Sequence, residues 1–115
     1  MLAGLGLEMF AAGDGEAAKE YLAHFVPDLV CLELRLPDTS GYELCELIRS
    51  SPVHCDVPVV LLSDHAYPEQ RAQAYEVGVD DFLVKPIHDE QLRTRVARLL
   101  KRPVRRGRAR AVGQP

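Results

Sequence analysis

Apolar and polar residues alternate in blocks along the chain. Leu7-Glu8-Met9-Phe10-Ala11-Ala12 alternates loosely and stops at Gly13-Asp14-Gly15, which predicts a strand ended by a hairpin-type turn. From Glu16 the apolar Ala18, Tyr21, Leu22 and Phe25 fall at helical spacing, and Pro27-Asp28 breaks that helix. Leu29 to Leu34 is almost continuously apolar, as expected of a strand covered on both faces. Arg35 to Ser40 reads as a loop. A second helix opens at Gly41, with Leu44, Cys45, Leu47 and Ile48 directed inward, and Ser50-Ser51-Pro52 ends it. The pattern then repeats. Val57 to Leu62 is a buried strand, with Pro58 tolerable at its start. Ser63 to Tyr67 is a loop, Pro68 sits in the first turn of a third helix, and Gly78 closes it as a left-handed cap. Asp81 to Val84 is a short strand followed by Lys85-Pro86. Asp89 then caps a last helix whose inward stripe is Leu92, Val96 and Leu99 or Leu100.

Strand and helix thus alternate four times, which predicts an α/β fold with a parallel sheet and right-handed crossovers. In such sheets function gathers at the carboxyl ends of the strands, where Glu33, Ser63 and Lys85 lie here. An acid, a hydroxyl and a lysine suit a phosphoryl group: the carboxylate attacks it or binds metal, the hydroxyl donates to it, and the lysine neutralises its charge. On spacing alone, a plain Glu33–Lys85 ion pair with Ser63 bonded to nearby backbone accounts for the same residues equally well.

Charge divides the chain in two. All 17 acids fall within residues 1–100 together with eight of the 14 Lys and Arg, so this body carries a net charge of −9. Lys101, Arg102, Arg105, Arg106, Arg108 and Arg110 crowd the remainder without an acid among them. We therefore read 1–102 as the domain and 103–115 as a basic linker. Contact with nucleic-acid phosphates is the alternative for the tail and is not expected of the acidic body. At 115 residues the chain has the size of one domain that buries about two thirds of its unfolded surface. No apolar run is long enough to span a bilayer, and no secretory signal opens the chain. Cys31, Cys45 and Cys55 are odd in number and form no CxxC, which fits a reducing cytoplasm. His24, His54, His65 and His88 share no metal-ligand spacing.

Three stretches resemble the receiver domains of two-component response regulators: Pro27 to Leu44 around Glu33, Val57 to Ser63, and Gly78 to Pro86. The resemblance implies a flavodoxin-like doubly wound sheet of five strands in the order 2-1-3-4-5. It places Glu33 at the phosphoacceptor, Ser63 at the hydroxyl that follows the phosphoryl group, and Lys85 at the lysine. Phe82 matches the aromatic that swings inward on activation, Pro86 the proline joined by a cis peptide, and the carbonyl of Arg35 a magnesium ligand. The implied partner is a histidine kinase or another signalling protein. Asp80, Asp81, Arg95 and Arg98 are candidates to pair across a homodimer through the last helix-strand-helix face, with a solvated helix face as the alternative.

Three departures from the family matter. The phosphoacceptor is aspartate there and Glu33 here, and the extra methylene advances the carboxylate by up to about 1.5 Å. Misplacement by about 1 Å can cost a hundredfold in such chemistry. The family's first strand and its terminal acidic pair find no counterpart in the residues before Glu33, and Glu8 is no substitute because it sits on the next strand. Magnesium would then have a single protein carboxylate unless that pair were restored, so no cofactor is expected. That strand would also be the central one. The expectation is that the neighbouring strands close up, that a partner fills the gap, or that the chain begins part-way into its domain. Finally, Asp64 stands where the family has a small residue, adding bulk and repelling a phosphate donor. The expected function is a phosphorylation-independent receiver that acts by protein contacts and is not an enzyme. A working phosphoacceptor feeding a DNA-binding or other output domain is the alternative.

Overall fold

The computed structural model describes residues 13–101, so the expected strand Leu7 to Ala12, with Glu8, and the basic tail 103–115 lie outside the described residues. Seven elements follow one another: α1 (Gly15–His24), β1 (Val30–Glu33), α2 (Gly41–Ser50), β2 (Val59–Ser63), α3 (Pro68–Val77), β3 (Asp81–Val84) and α4 (Asp89–Lys101). The strands make a parallel sheet in the order β1-β2-β3, with Val30 opposite Val59 and Val60 opposite Asp81. These are the last three strands of the expected order. Among the described residues, β1 pairs on one edge only.

β2 is the middle strand, which explains its unbroken apolar run: Val59, Val60 and Leu61 are fully buried. Its side chains alternate between two cores. Val59 and Leu61 join Leu32, Leu44, Ile48 and Phe82 on the face covered by α2 and α3. Val60 joins Leu83, Leu92, Val96 and Leu99 beneath α4. The last helix therefore turns inward the stripe that its spacing predicts.

Several boundaries differ from the pattern-based expectation. β2 runs one residue further than predicted, so Ser63 is the last residue of the strand and not the first of a loop. Asp89 lies within the first turn of α4 and not ahead of it. Leu47, expected inward, is 45% exposed. It lies about 100° around the helix from Ile48, off the stripe formed by the buried Leu44, Cys45 and Ile48.

α1 is tied down at both ends. Asp14, read as part of a turn, is its N-cap and accepts a hydrogen bond from the Ala17 N–H at 2.9 Å. Asp38, on the loop after β1, accepts from the N–H groups of Gly15 and Glu16 at 2.7 and 3.0 Å. At the other end His54 Nε2 meets the Phe25 carbonyl at 3.0 Å and Nδ1 meets the Ser51 hydroxyl at 2.8 Å. A carbonyl only accepts, so Nε2 carries the proton and Ser51 donates to Nδ1.

The Gly15 N–H, helped by that of Glu16 and by Lys19, holds the Asp38 carboxyl below its ordinary value. A depressed carboxylate adds stability above its unfolded pKa and loses it as pH falls through the folded value. Asp38→Ala should therefore melt below the parent at pH 7, and the gap should close as the melts are repeated below pH of about 4.

Candidate functional site

Three strand ends bring the candidate residues together. The Leu34 N–H donates to the Leu62 carbonyl at 2.8 Å, continuing the β1–β2 ladder past Glu33. The Lys85 N–H donates to the Ser63 carbonyl at 2.8 Å, which sets the lysine at the end of β3 beside the end of β2. The bond between Lys85 and Pro86 is cis. Behind Glu33 the chain loops back, and the Gly41 N–H bonds the Leu34 carbonyl at 2.9 Å.

Lys85 Nζ lies 2.6 Å from Glu33 Oε1, a charge-assisted contact between two half-exposed side chains. The hydrogen bond to Glu33 raises the Lys85 pKa above its ordinary value, with the charges of Glu33 and Asp64 adding to it and partial burial opposing. Ser63 is buried, and its hydroxyl accepts the His65 N–H at 3.1 Å. Glu33, Ser63, Asp64, His65 and Gln70 border a cavity of about 30 Å³, room for little more than one water. Gln70 Oε1 is buried without a hydrogen-bond partner. Phe82 is 2% exposed and lies under the Arg71 guanidinium, 4.9 Å from the ring centroid.

The four residues assigned to a dimer face make contacts within the chain. Arg95 Nη1 donates to both Asp81 oxygens of its own chain at 2.9 and 2.8 Å, and Arg98 Nη2 stands 3.6 Å away. Asp80 accepts from Arg49 at 2.8 Å and from the Val59 N–H at 2.7 Å. Asp81 on β3 thus pairs with Arg95 and Arg98 on α4, the helix that packs directly against that strand.

Sequence reading missed Asp38, Arg49 and Arg71. Arg49 donates to the Gly78, Cys55 and Val57 carbonyls and to Asp80. None of these partners is near it in helical spacing, so no local pattern points to them.

An acid, a hydroxyl and a lysine at the ends of three adjacent parallel strands, with a buried aromatic three residues before the lysine, define a receiver-type signalling domain. A model of the response regulator receiver domain matches residues 1–97. The chain is 35% identical over 98 residues to the luminescence regulatory protein LuxO of Vibrio campbellii, covering 85% of this chain and 21% of that protein. It is 32% identical over 97 residues to the DNA-binding dual master transcriptional regulator RpaA of Synechocystis, covering 84% and 40%. It thus spans well under half the length of either relative. A two-component response regulator from Clostridium difficile superposes with a TM-score of 0.81 at 30% identity, covering 88% of this chain and 81% of that one. The chain belongs to the response regulator receiver domain family.

A further neighbour, the receiver domain of the sensor histidine kinase PA1611 from Pseudomonas aeruginosa, has magnesium coordinated in its active-site cleft. It superposes with a TM-score of 0.77 at 26% identity, covering 86% of this chain and 81% of that one. The described residues here put Glu33 and Asp64 near Lys85 at the ends of the strands. They contain no group of three or more His, Cys, Asp or Glu side chains able to hold a metal. Glu33, the acid at the centre of the site, already carries an ammonium at 2.6 Å, which repels a dication. Among the described residues no helix is long and apolar enough to cross a membrane.

Proposed function

We propose that this receiver domain signals through protein contacts without being phosphorylated, with the Glu33–Lys85 ion pair in place of an aspartyl phosphate. The 2.6 Å contact carries the reading: a carboxylate one methylene longer than aspartate reaches the lysine directly. The buried Phe82 supports it, since the aromatic already occupies the inward position that the family resemblance associates with activation. The narrowness of the cavity and the negative charge of Asp64 also disfavour entry of a phosphate donor. On this reading the domain needs no metal and turns over no substrate. Its partners are signalling proteins, a histidine kinase among them.

The test is incubation with acetyl phosphate and Mg²⁺, read by intact mass, with Lys85→Ala as the control. The expected result is an unmodified protein. A phosphoryl adduct that maps to Glu33 would overturn the reading and restore a working phosphoacceptor. The mimicry has its own check in the amide spectrum. Glu33→Gln, which keeps the shape and removes the charge, should shift the resonances of Ser63 and Phe82, and unmoved resonances would leave the pair without a signalling role.

A further inference from the structure

A groove separates α1 from α2 on the side of the molecule away from α4. Between its tied ends α1 meets the core through the partly buried Ala18 and Leu22, and the seam beside them stays open. The opening has a volume of about 460 Å³. Leu22, Ala23, Leu47 and Ile48 give it apolar walls, and His54 lies at one end. Leu47 is the side chain that its helix should have buried on simple spacing, yet it is 45% exposed here.

Acids flank it. Glu46 lines the groove, and the exposed Glu16, Glu20 and Glu43 stand one helical turn from its lining residues Lys19, Ala23 and Glu46. The groove's one lysine, Lys19, already leans on Glu16 at 3.9 Å. Arg49, the one arginine of α2, is engaged with Gly78 and Asp80. An apolar trough of this shape between two helices takes the ridge of a third, and acids along its borders select cations on the flanks of that ridge.

From this seam we infer that the α1–α2 face docks an amphipathic helix whose apolar stripe is flanked by Lys or Arg. The inference is independent of the state of Glu33 and Lys85. Leu47 is the central apolar contact, and Glu43 and Glu46 set the charge preference.

The probe is a synthetic amphipathic helix with leucines on one face and lysines beside them, titrated against the whole chain by fluorescence anisotropy. Glu46→Lys should weaken binding by about tenfold, and added salt should weaken it further. Leu47→Asp discriminates best. It makes the surface more acidic, so simple charge attraction would tighten binding, whereas docking in the groove requires a loss of about tenfold or more. Both residues are exposed, so thermal melts should confirm that the variants fold. Failure of the parent chain to bind, or binding that Leu47→Asp leaves equal or tighter, overturns the inference. So does a concentration-dependent dimer abolished by Leu47→Asp, which would show that a second copy fills the groove.

Discussion

Replacing Arg49 with alanine is expected to remove about 3–5 kcal/mol of stability, the usual cost of breaking a buried ion pair from one side. Asp80 is only 12% exposed and Arg49 22% exposed, so the carboxylate would be left largely out of water without its cation. The loss extends beyond the pair. The Nε and Nη2 atoms of Arg49 donate to the Gly78 carbonyl at 3.0 and 2.8 Å, and Nη1 donates to the Cys55 and Val57 carbonyls at 3.1 and 2.7 Å. Domains of this size have about 5–15 kcal/mol in all, so the variant should melt more than about 10 °C lower. Arg49→Lys keeps the charge but not the planar fork and should fall between the two. Chemical denaturation of the three proteins measures the effect. Alanine within about 0.5 kcal/mol of the parent would show that water replaces these bonds without loss.

Gly41→Ala should cost at least about 2 kcal/mol, at the upper end for overpacking. The added methyl would stand 2.7 Å from the Glu33 carbonyl oxygen and 3.3 Å from the Leu34 Cα, and it would overlap Leu61 Cδ1. Leu61 is fully buried in the middle strand and has no room to yield. Relief must come from moving α2 away from the end of β1, which breaks the 2.9 Å bond from the Gly41 N–H to the Leu34 carbonyl. The higher helix propensity of alanine offsets at most about 1 kcal/mol. The same displacement shifts the backbone of Glu33, so its contact with Lys85 should loosen along with the fold. Equilibrium unfolding and the Lys85 side-chain resonances report the two effects together, and a variant as stable as the parent would refute the close packing.

The elements were legible because each sits where local and tertiary preferences agree. α2 and α3 were delimited correctly because Ser40 and Pro68 open them and Gly78, at φ 108°, closes α3. The strands were legible because a middle parallel strand must be apolar on both faces. Leu47 departs from the expectation because helical spacing says which residues share a face but not how wide the covered stripe is. The site followed the same rule. Glu33, Ser63 and Lys85 end three strands, and strand ends can be counted from sequence. Asp38 and Arg49 act across 22 or more residues in several of their contacts, Arg71 reaches from α3 to Phe82 on β3, and no periodicity encodes such a reach. The Asp81 contacts are legible in part: charge names Arg95 and Arg98 as partners, and the fold joins them within one chain.

Arg49 also bears on how the molecule can move. Its carbonyl partners lie at the end of α3 and just before β2, at the amino ends of the strands, whereas Glu33, Ser63 and Lys85 stand at the opposite ends. α3 is thus anchored at its foot and meets the signalling end of the sheet only near its head, where Tyr42 donates to the Gln70 carbonyl and Arg71 covers Phe82. The foot is held by several charge-assisted hydrogen bonds and the head by one neutral hydrogen bond and one cation–π contact, so displacement is easier at the head. Small changes in charge beside β2 and β3 should therefore appear as a tilt of the head of α3, with amide exchange slow around Val59 and Asp80 and progressively faster toward Pro68.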